Sequence, residues 1–250
     1  MSAIGQGFAI LNAVTAAGRS GLTFSRIVEA TGIPKASAHR LLRELLALSA
    51  LTLDPETRHY RGGLMLARLG GAVMAGYDFR TVTRPFLQSL HEQTGHVATL
   101  GVLDNDAGIY IDKIETAEFG FRLHSEIGKR FPLHCTGMGK VLLSRADGKT
   151  LRRVLNRKLE AFTANTITDA AALRRELTRV AVDGYAVDRE EITRGLVCVA
   201  APVIGIDGSV AGAMSATFPS YIYDERGIDA EIAAVRRAAQ DASVTGTAQT

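Results

Sequence analysis

Over the first fifty residues the apolar positions recur with a helical period, whereas beyond residue 95 helical stripes are interleaved with short apolar runs bounded by turn residues. Phe8, Leu11 and Val14 share a face and Gly18 supplies a stop, which predicts a first helix of about three turns. Thr23 can cap a second, short helix whose inward residues are Phe24, Ile27 and Val28. Gly32 then suits a tight turn, Pro34 a first helical position, and Ala38, Leu41, Leu42, Leu45 and Leu48 form the inward stripe of a third helix. Lys35, Ala36, Ser37, His39, Arg40 and Arg43 are left outside. Asp54-Pro55-Glu56-Thr57 separates two strand-like runs between Leu51 and Arg61, a hairpin that returns through Arg58 and Arg61. Short helix, glycine turn, helix with small and basic residues at its leading end, and basic hairpin together predict a winged helix-turn-helix. Its third helix enters a DNA major groove while Thr23 and the arginines meet phosphates.

A linker helix is expected over 64–80. The rest of the chain mixes elements: a helix over 81–94 with Val82, Phe86 and Leu90 inward; strands ATLGVL and GIYIDKI joined by a polar turn; helices near 136–144, 148–156 and 169–182. LVCVAAPVIGI and SVAGAMSATF follow as strands around Asp207-Gly208, a hairpin signal. A last helix is expected over 224–240. This order predicts an α+β chain of two domains: the winged module over 1–63, then, after the linker, a domain over 81–242 with a central antiparallel sheet flanked by helices. The polar residues 243–250 read as a disordered tail.

Charge sharpens the division. Residues 1–80 hold nine Lys/Arg against five Asp/Glu, and residues 81–250 hold 20 against 21, so the whole basic excess of +3 lies in the module that should meet an anionic partner. With 46% hydrophobic and 22% charged residues the chain can build real cores. Its longest apolar run, Val197 to Ile206, falls short of the ~20 residues of a bilayer-spanning helix. The first residues lack the charged segment of a secretory signal, so a cytoplasmic location with two reduced thiols, Cys135 and Cys198, is expected and no membrane partner.

HCTGMGKVLL, His134 to Leu143, concentrates the candidate chemistry. It is not a phosphate-binding P-loop, which needs Gly in place of His134 and Ser or Thr in place of Val141. Nor does it match a dinucleotide fingerprint, which needs a third glycine at Leu142. His134 and Cys135, adjacent on a strand, point to opposite faces and cannot share a metal. No cofactor or metal is expected. A strand ending near His134 and a helix from Thr136 would instead present free backbone N–H groups and the positive end of a helix dipole, a receptor for a carboxylate that small Gly137 lets approach. Plainer uses exist for each residue: Gly137 as a turn, Met138 as core, Cys198 as a buried hydrophobe, Lys140 as a solvent-facing or surface-pairing residue. Glu190 and Glu191 fit either a carboxylate pair or a solvated loop beside Arg189 and Arg194.

The runs LTFSRIVEATGIPKASAHRLLREL, YRGGLMLARLG, HCTGMGKVLL and REEITRGLVCVAAPV together resemble the IclR family of bacterial transcription regulators, over about Gly5 to Arg237. The resemblance implies a GAF-like effector-binding domain with ligand contacts at Gly137, Met138, Asp188, Cys198, Ser215 and Thr217 and an apolar wall from Leu123, Phe131 and Leu196. The chain departs from the family at Gly62, where Leu usually precedes the glycine, and at Thr217, often a serine, whose methyl narrows the cavity. The function implied is a ligand-responsive regulator of double-stranded operator DNA, assembled as a homodimer or dimer of dimers. Its effector would be a small carboxylic acid, a short oxoacid or an aromatic acid such as a hydroxybenzoate. Asp188 could accept a hydrogen bond from a ligand hydroxyl, and repels a second carboxylate unless protonated. The rival readings are a DNA-tethered enzyme with a cysteine nucleophile and a thiol redox sensor. The enzyme reading lacks a base that the sequence can place beside either thiol, so no catalytic residue is assigned.

Overall fold

The computed structural model describes residues 1–75, 78–115, 125–205 and 207–245, and the chain divides into two units, Met1–Tyr77 and Asp78–Thr250. In the first, α1 (Ala3–Ala16) starts at Ser2, whose hydroxyl accepts from the Gly5 N–H. Its inward face is carried by Ile10 and Val14, both fully buried, and not by Phe8, which is 62% exposed. At 100° per residue Phe8 lies about 200° from Ile10 and cannot share its face. β1 (Leu22–Thr23) leads into α2 (Phe24–Thr31), and the Thr23 hydroxyl caps it by accepting from the Arg26 N–H. Gly32 ends α2 in the left-handed conformation at φ +66°, the turn that only glycine adopts without strain. In α3 (Lys35–Ala47) Pro34 is the capping residue and not the first helical one. Ala38, Leu41 and Leu42 are buried, while Leu48, past the helix end, is 61% exposed. β2 (Leu51–Leu53) and β3 (His59–Gly62) form the wing, and β1 joins them in the order β1-β3-β2. α4 spans Leu64–Ala75.

The second unit opens with α5 (Asp78–Thr94), which begins three residues before the helix expected at 81 and turns Thr83, Leu87 and Leu90 inward, with Val82 and Phe86 half-buried. β4 (Val97–Asp104) and β5 (Ala107–Ile114) follow as a hairpin, then β6 (Arg130–Phe131), α6 (Gly137–Ser144), α7 (Gly148–Leu155) and α8 (Ala170–Asp183). β7 (Ala186–Arg189), β8 (Leu196–Ile204), β9 (Val210–Pro219), α9 (Ser220–Arg226) and α10 (Asp229–Thr245) complete it. The six strands form one antiparallel sheet in the order β6-β5-β4-β9-β8-β7. α5 and α10 cover one face; α6, backed by α8, covers the other. The strand expected to end near His134 ends at Phe131, leaving His134 and Cys135 in irregular but buried chain.

The first residues of the tail expected over 243–250 are helical. Ser243 lies within α10, donating to the Ala239 carbonyl and accepting from the Ile204 N–H at 2.8 Å, which ties the last helix to β8. Residues 246–250 lie outside the described residues. Among those described, no helix is long and apolar enough to cross a membrane.

Candidate functional site

The leading end of α3 is open. Lys35, Ala36, His39, Arg40 and Arg43 are exposed and Ser37 is half-buried, while the helix is held from behind by Ala38, Leu41 and Leu42. Arg40 is parked on Glu44 at 2.9 Å, an exposed i,i+4 pair worth only a few tenths of a kcal/mol and readily exchanged for a phosphate. In the wing the Asp54 carboxylate accepts from the Glu56 and Thr57 N–H groups, and this backbone bonding, with Arg61 beside it, holds Asp54 below the ordinary carboxylate range. Arg61 reaches Asp54 at 3.3 Å. Arg58 is exposed at φ +57°. Thr23 is half-buried, its hydroxyl spent on the α2 cap.

In the second unit strand register gathers residues that are far apart in sequence. Asp188 pairs with Cys198, Cys198 with Thr217, Ala200 with Ser215 and Ser215 with Thr99, so two adjacent rows of side chains cross four strands on the face beneath α6. A bulge between Leu100 and Gly101 lets one residue of β5, Ile111, go unpaired. It allows Tyr110 to face the same side as Thr99, while Asp112, paired with Leu100, turns to the opposite side and meets Arg84 at 2.6 Å. A cavity of about 50 Å³ results. It is lined by Met138, Asp188, Leu196, Cys198, Ser215 and Thr217 from the expected set. Thr99, Tyr110, Ser125, Thr136, Ile192 and Thr193 join them without having been expected.

The remaining expected residues stand elsewhere. Phe131 is 1% exposed and packs its ring on Tyr110 at 4.5 Å between centroids; it backs the wall without lining the cavity. A Cβ on Gly108 would fall 2.0 Å from that ring. Gly137 opens α6, and a Cβ there would come within 3.3 Å of Ala200 and of Cys198 Sγ and carbonyl oxygen, so its smallness serves the seating of α6 on β8. Leu123 lies outside the described residues.

At the start of α6 the Thr136 hydroxyl accepts from the Gly139 N–H at 3.0 Å and donates to the Pro132 carbonyl. The first helical bond, from Lys140 N–H to Thr136 carbonyl, leaves the N–H groups of Gly137 and Met138 without a partner among the described residues. Thr99 and Ser215 share a hydrogen bond of 2.7 Å. Burial and the nearby Glu191 push the Asp188 carboxyl up to about 8. Burial, with Asp188 beside it, pushes the Cys198 thiol up to about 11, and Cys135 is driven up in the same way.

Lys140 overturns its expected place at the surface. It is fully buried, and its ammonium donates to Glu191 and the Val187 carbonyl, each at 2.6 Å, and to Glu176 at 3.2 Å. Burial alone would raise the Glu176 carboxyl, but Lys140 and Arg179 together hold it below its usual range. Glu191 is buried as well, and its N–H donates to Asp188 at 2.7 Å. Glu190 accepts from the Gly195 N–H across the turn. The pair is thus neither a twin acid nor a solvated loop. For Glu191 the Lys140 ammonium, 51 residues away in sequence, decided the matter.

Fold and site define a DNA-binding regulator that carries its own small-molecule pocket. The model of the IclR helix-turn-helix domain matches residues 3–55 and that of the bacterial transcriptional regulator IclR C-terminal domain matches residues 71–244, so the chain belongs to the IclR family of transcription regulators. The HTH-type transcriptional regulator BhcR of Paracoccus denitrificans is 36% identical over 225 residues, covering 90% of this chain and 80% of that protein. An IclR transcriptional regulator from Alicyclobacillus acidocaldarius superposes with a TM-score of 0.84 at 28% identity over 98% of both chains. An IclR homologue from Microbacterium hydrocarbonoxydans, crystallised with 4-hydroxybenzoate, shares the fold with a TM-score of 0.83 at 23% identity, over 99% of this chain and 100% of that one.

Proposed function

We propose that the pocket beneath α6 takes a small carboxylic acid and that its occupancy changes the affinity of paired N-terminal units for operator DNA. The observation that carries this is the register that sets Asp188, Cys198, Thr217, Ser215 and Thr99 side by side under the two unpartnered N–H groups opening α6. Such an array orients an oxyanion through fixed donors and the helix dipole. At about 50 Å³ the cavity has room for a few water molecules, which favours a short oxoacid over a hydroxybenzoate. Leu196, Met138 and Tyr110 supply the apolar side, and Phe131 and Gly137 act from behind them.

On the DNA side, Lys35, Ala36, Ser37, His39, Arg40 and Arg43 enter the major groove, and Thr23, Arg58 and Arg61 reach the backbone. A single winged unit contacts too little DNA for a specific operator, so the working form is a homodimer or a dimer of dimers on half-sites about one helical turn apart. The chain is not an enzyme on this reading. Both thiols are held far from the thiolate form at neutral pH, which disfavours nucleophilic or redox use.

The test is a thermal-shift panel of small carboxylic acids, each hit then titrated against binding to the promoter DNA beside the gene. A hit that raises the melting temperature and alters operator affinity is expected. A panel with no hit, or hits that leave operator affinity unchanged, refutes the proposal.

A further inference from the structure

The pocket contains a carboxyl group and, among the described residues lining it, no Lys, Arg or His. The nearest ammonium, Lys140, has three N–H bonds to give and gives all three, to Glu191, Glu176 and the Val187 carbonyl. It is therefore committed to two carboxylates and has no hydrogen bond to spare for a guest. Asp188 itself, 3% exposed, accepts a hydrogen bond from the backbone N–H of Glu191, and among the described residues no side chain donates to it. The groups facing it from the surrounding elements are Glu191 on the β7–β8 loop, Lys140 on α6, Cys135 before α6, Cys198 on β8 and Tyr110 on β5; Glu176 on α8 lies behind Lys140. Apart from Lys140 every one is acidic or neutral. An anionic ligand entering this space meets an acid whose nearest cation, Lys140, is already held by two other carboxylates, and two carboxylates a hydrogen bond apart do not both ionise.

We infer that Asp188 is the specificity-determining residue of the pocket, holding a proton that it donates to the carboxylate of a bound monocarboxylic acid. This rests on the carboxylic-acid reading above and adds its proton and its charge class. The complex is then a shared-proton pair of single negative charge, which the N–H groups of Gly137 and Met138 can balance. A dicarboxylate brings a second charge that nothing in the lining neutralises. Removing the Asp188 proton leaves two like charges face to face, so affinity falls as pH rises. The free protein sets where this begins: with the Asp188 carboxyl at about 8 before ligand arrives, binding at neutral pH uses a proton already present, and above that it must take one from solution.

The experiment uses the full chain with pyruvate and acetate, neither of which titrates at neutral or alkaline pH, and calorimetry in two buffers of different ionisation heat. For the wild type Kd is expected to be flat near pH 7 and to rise about tenfold per pH unit above about 8.5, with close to one proton taken up per ligand there. The Asp188→Asn variant, whatever its affinity at pH 7, should show no such slope, and succinate should bind the wild type at least tenfold more weakly than either monoacid. If Asp188→Asn does not fold, the proton count of the wild type still decides. A wild-type Kd constant from pH 7 to 9.5 without proton uptake overturns the inference while leaving the effector reading standing. Binding of no acid by the wild type overturns the effector reading, and the proton with it.

Discussion

Replacing Lys140 by Met removes one charge from the interior at nearly constant volume, so the loss is electrostatic and not a cavity effect. The wild-type ammonium is fully buried and holds two carboxylates and a carbonyl, and the second oxygen of Glu191 has no hydrogen-bond partner even with Lys140 in place among the described residues. In Lys140→Met, Glu191 becomes a buried, uncompensated anion. Breaking a buried pair in this way costs about 3–5 kcal/mol. At roughly 2–4 °C per kcal/mol for a domain of this size, the melting temperature should fall by about 10 °C near neutral pH. In the wild type Lys140 does most to hold the Glu176 carboxyl below its usual range, a contribution present above the unfolded carboxylate range and lost as pH falls, and the variant forfeits it. Its deficit against wild type should therefore shrink towards pH 4. Adding Glu191→Gln, which removes the orphaned charge, should restore part of the loss at pH 7. Circular-dichroism melts of wild type, single and double variants from pH 4 to 8 measure this. A deficit below about 1 °C, or one independent of pH, would show that the buried cluster is not an ion pair and refute the reasoning.

Arg40→Ala should weaken operator binding roughly tenfold and reduce its salt dependence while leaving acid binding intact; unchanged operator affinity at physiological salt removes α3 as the reading helix. Gly108→Ala places a methyl 2.0 Å from the Phe131 ring, so the ring must leave its seat on Tyr110, and a loss of about 1–3 kcal/mol in denaturant unfolding is expected. Unaltered stability would mean the ring moves freely. Asp188→Asn should leave stability unchanged near pH 4 and raise it increasingly towards pH 8, because a carboxyl lifted to about 8 stabilises the fold only below its unfolded value and loses that contribution as pH climbs. Parallel melting curves at every pH would contradict the burial of Asp188.

The winged module was the more legible half because its determinants are local. Thr23 caps α2, Gly32 turns the chain and Asp54 ties the wing's turn, each within a few residues of its partner. The hairpin of β8 and β9 could be read for the same reason. Within the module, Phe8 still misled, since several helical faces of α1 carry apolar residues and only packing against α2 and α3 selects the one centred on Ile10 and Val14. In the C-terminal domain the motif positions Met138, Asp188, Cys198, Ser215 and Thr217 were indicated by resemblance, whereas Thr99 and Tyr110 bore no signal of their own. They reach the cavity through pairing with Ser215 and Gly101, and the bulge at Ile111 cannot be seen in a run as regular as GIYIDKI.

Sequence by itself determined which stretches are helical, where the chain turns at Gly32 and in the wing, and that basic charge collects on the first module. Tertiary structure alone decided what each polar residue does. Lys140 became a buried cation, Glu191 its partner and Asp188 an acid pushed up by burial, because strand order and helix packing bring together groups whose separation along the chain hides them from one another. Capping and periodicity act over one turn of chain. Desolvation and Coulomb interactions act through space, and their sign is set only when the neighbours are known.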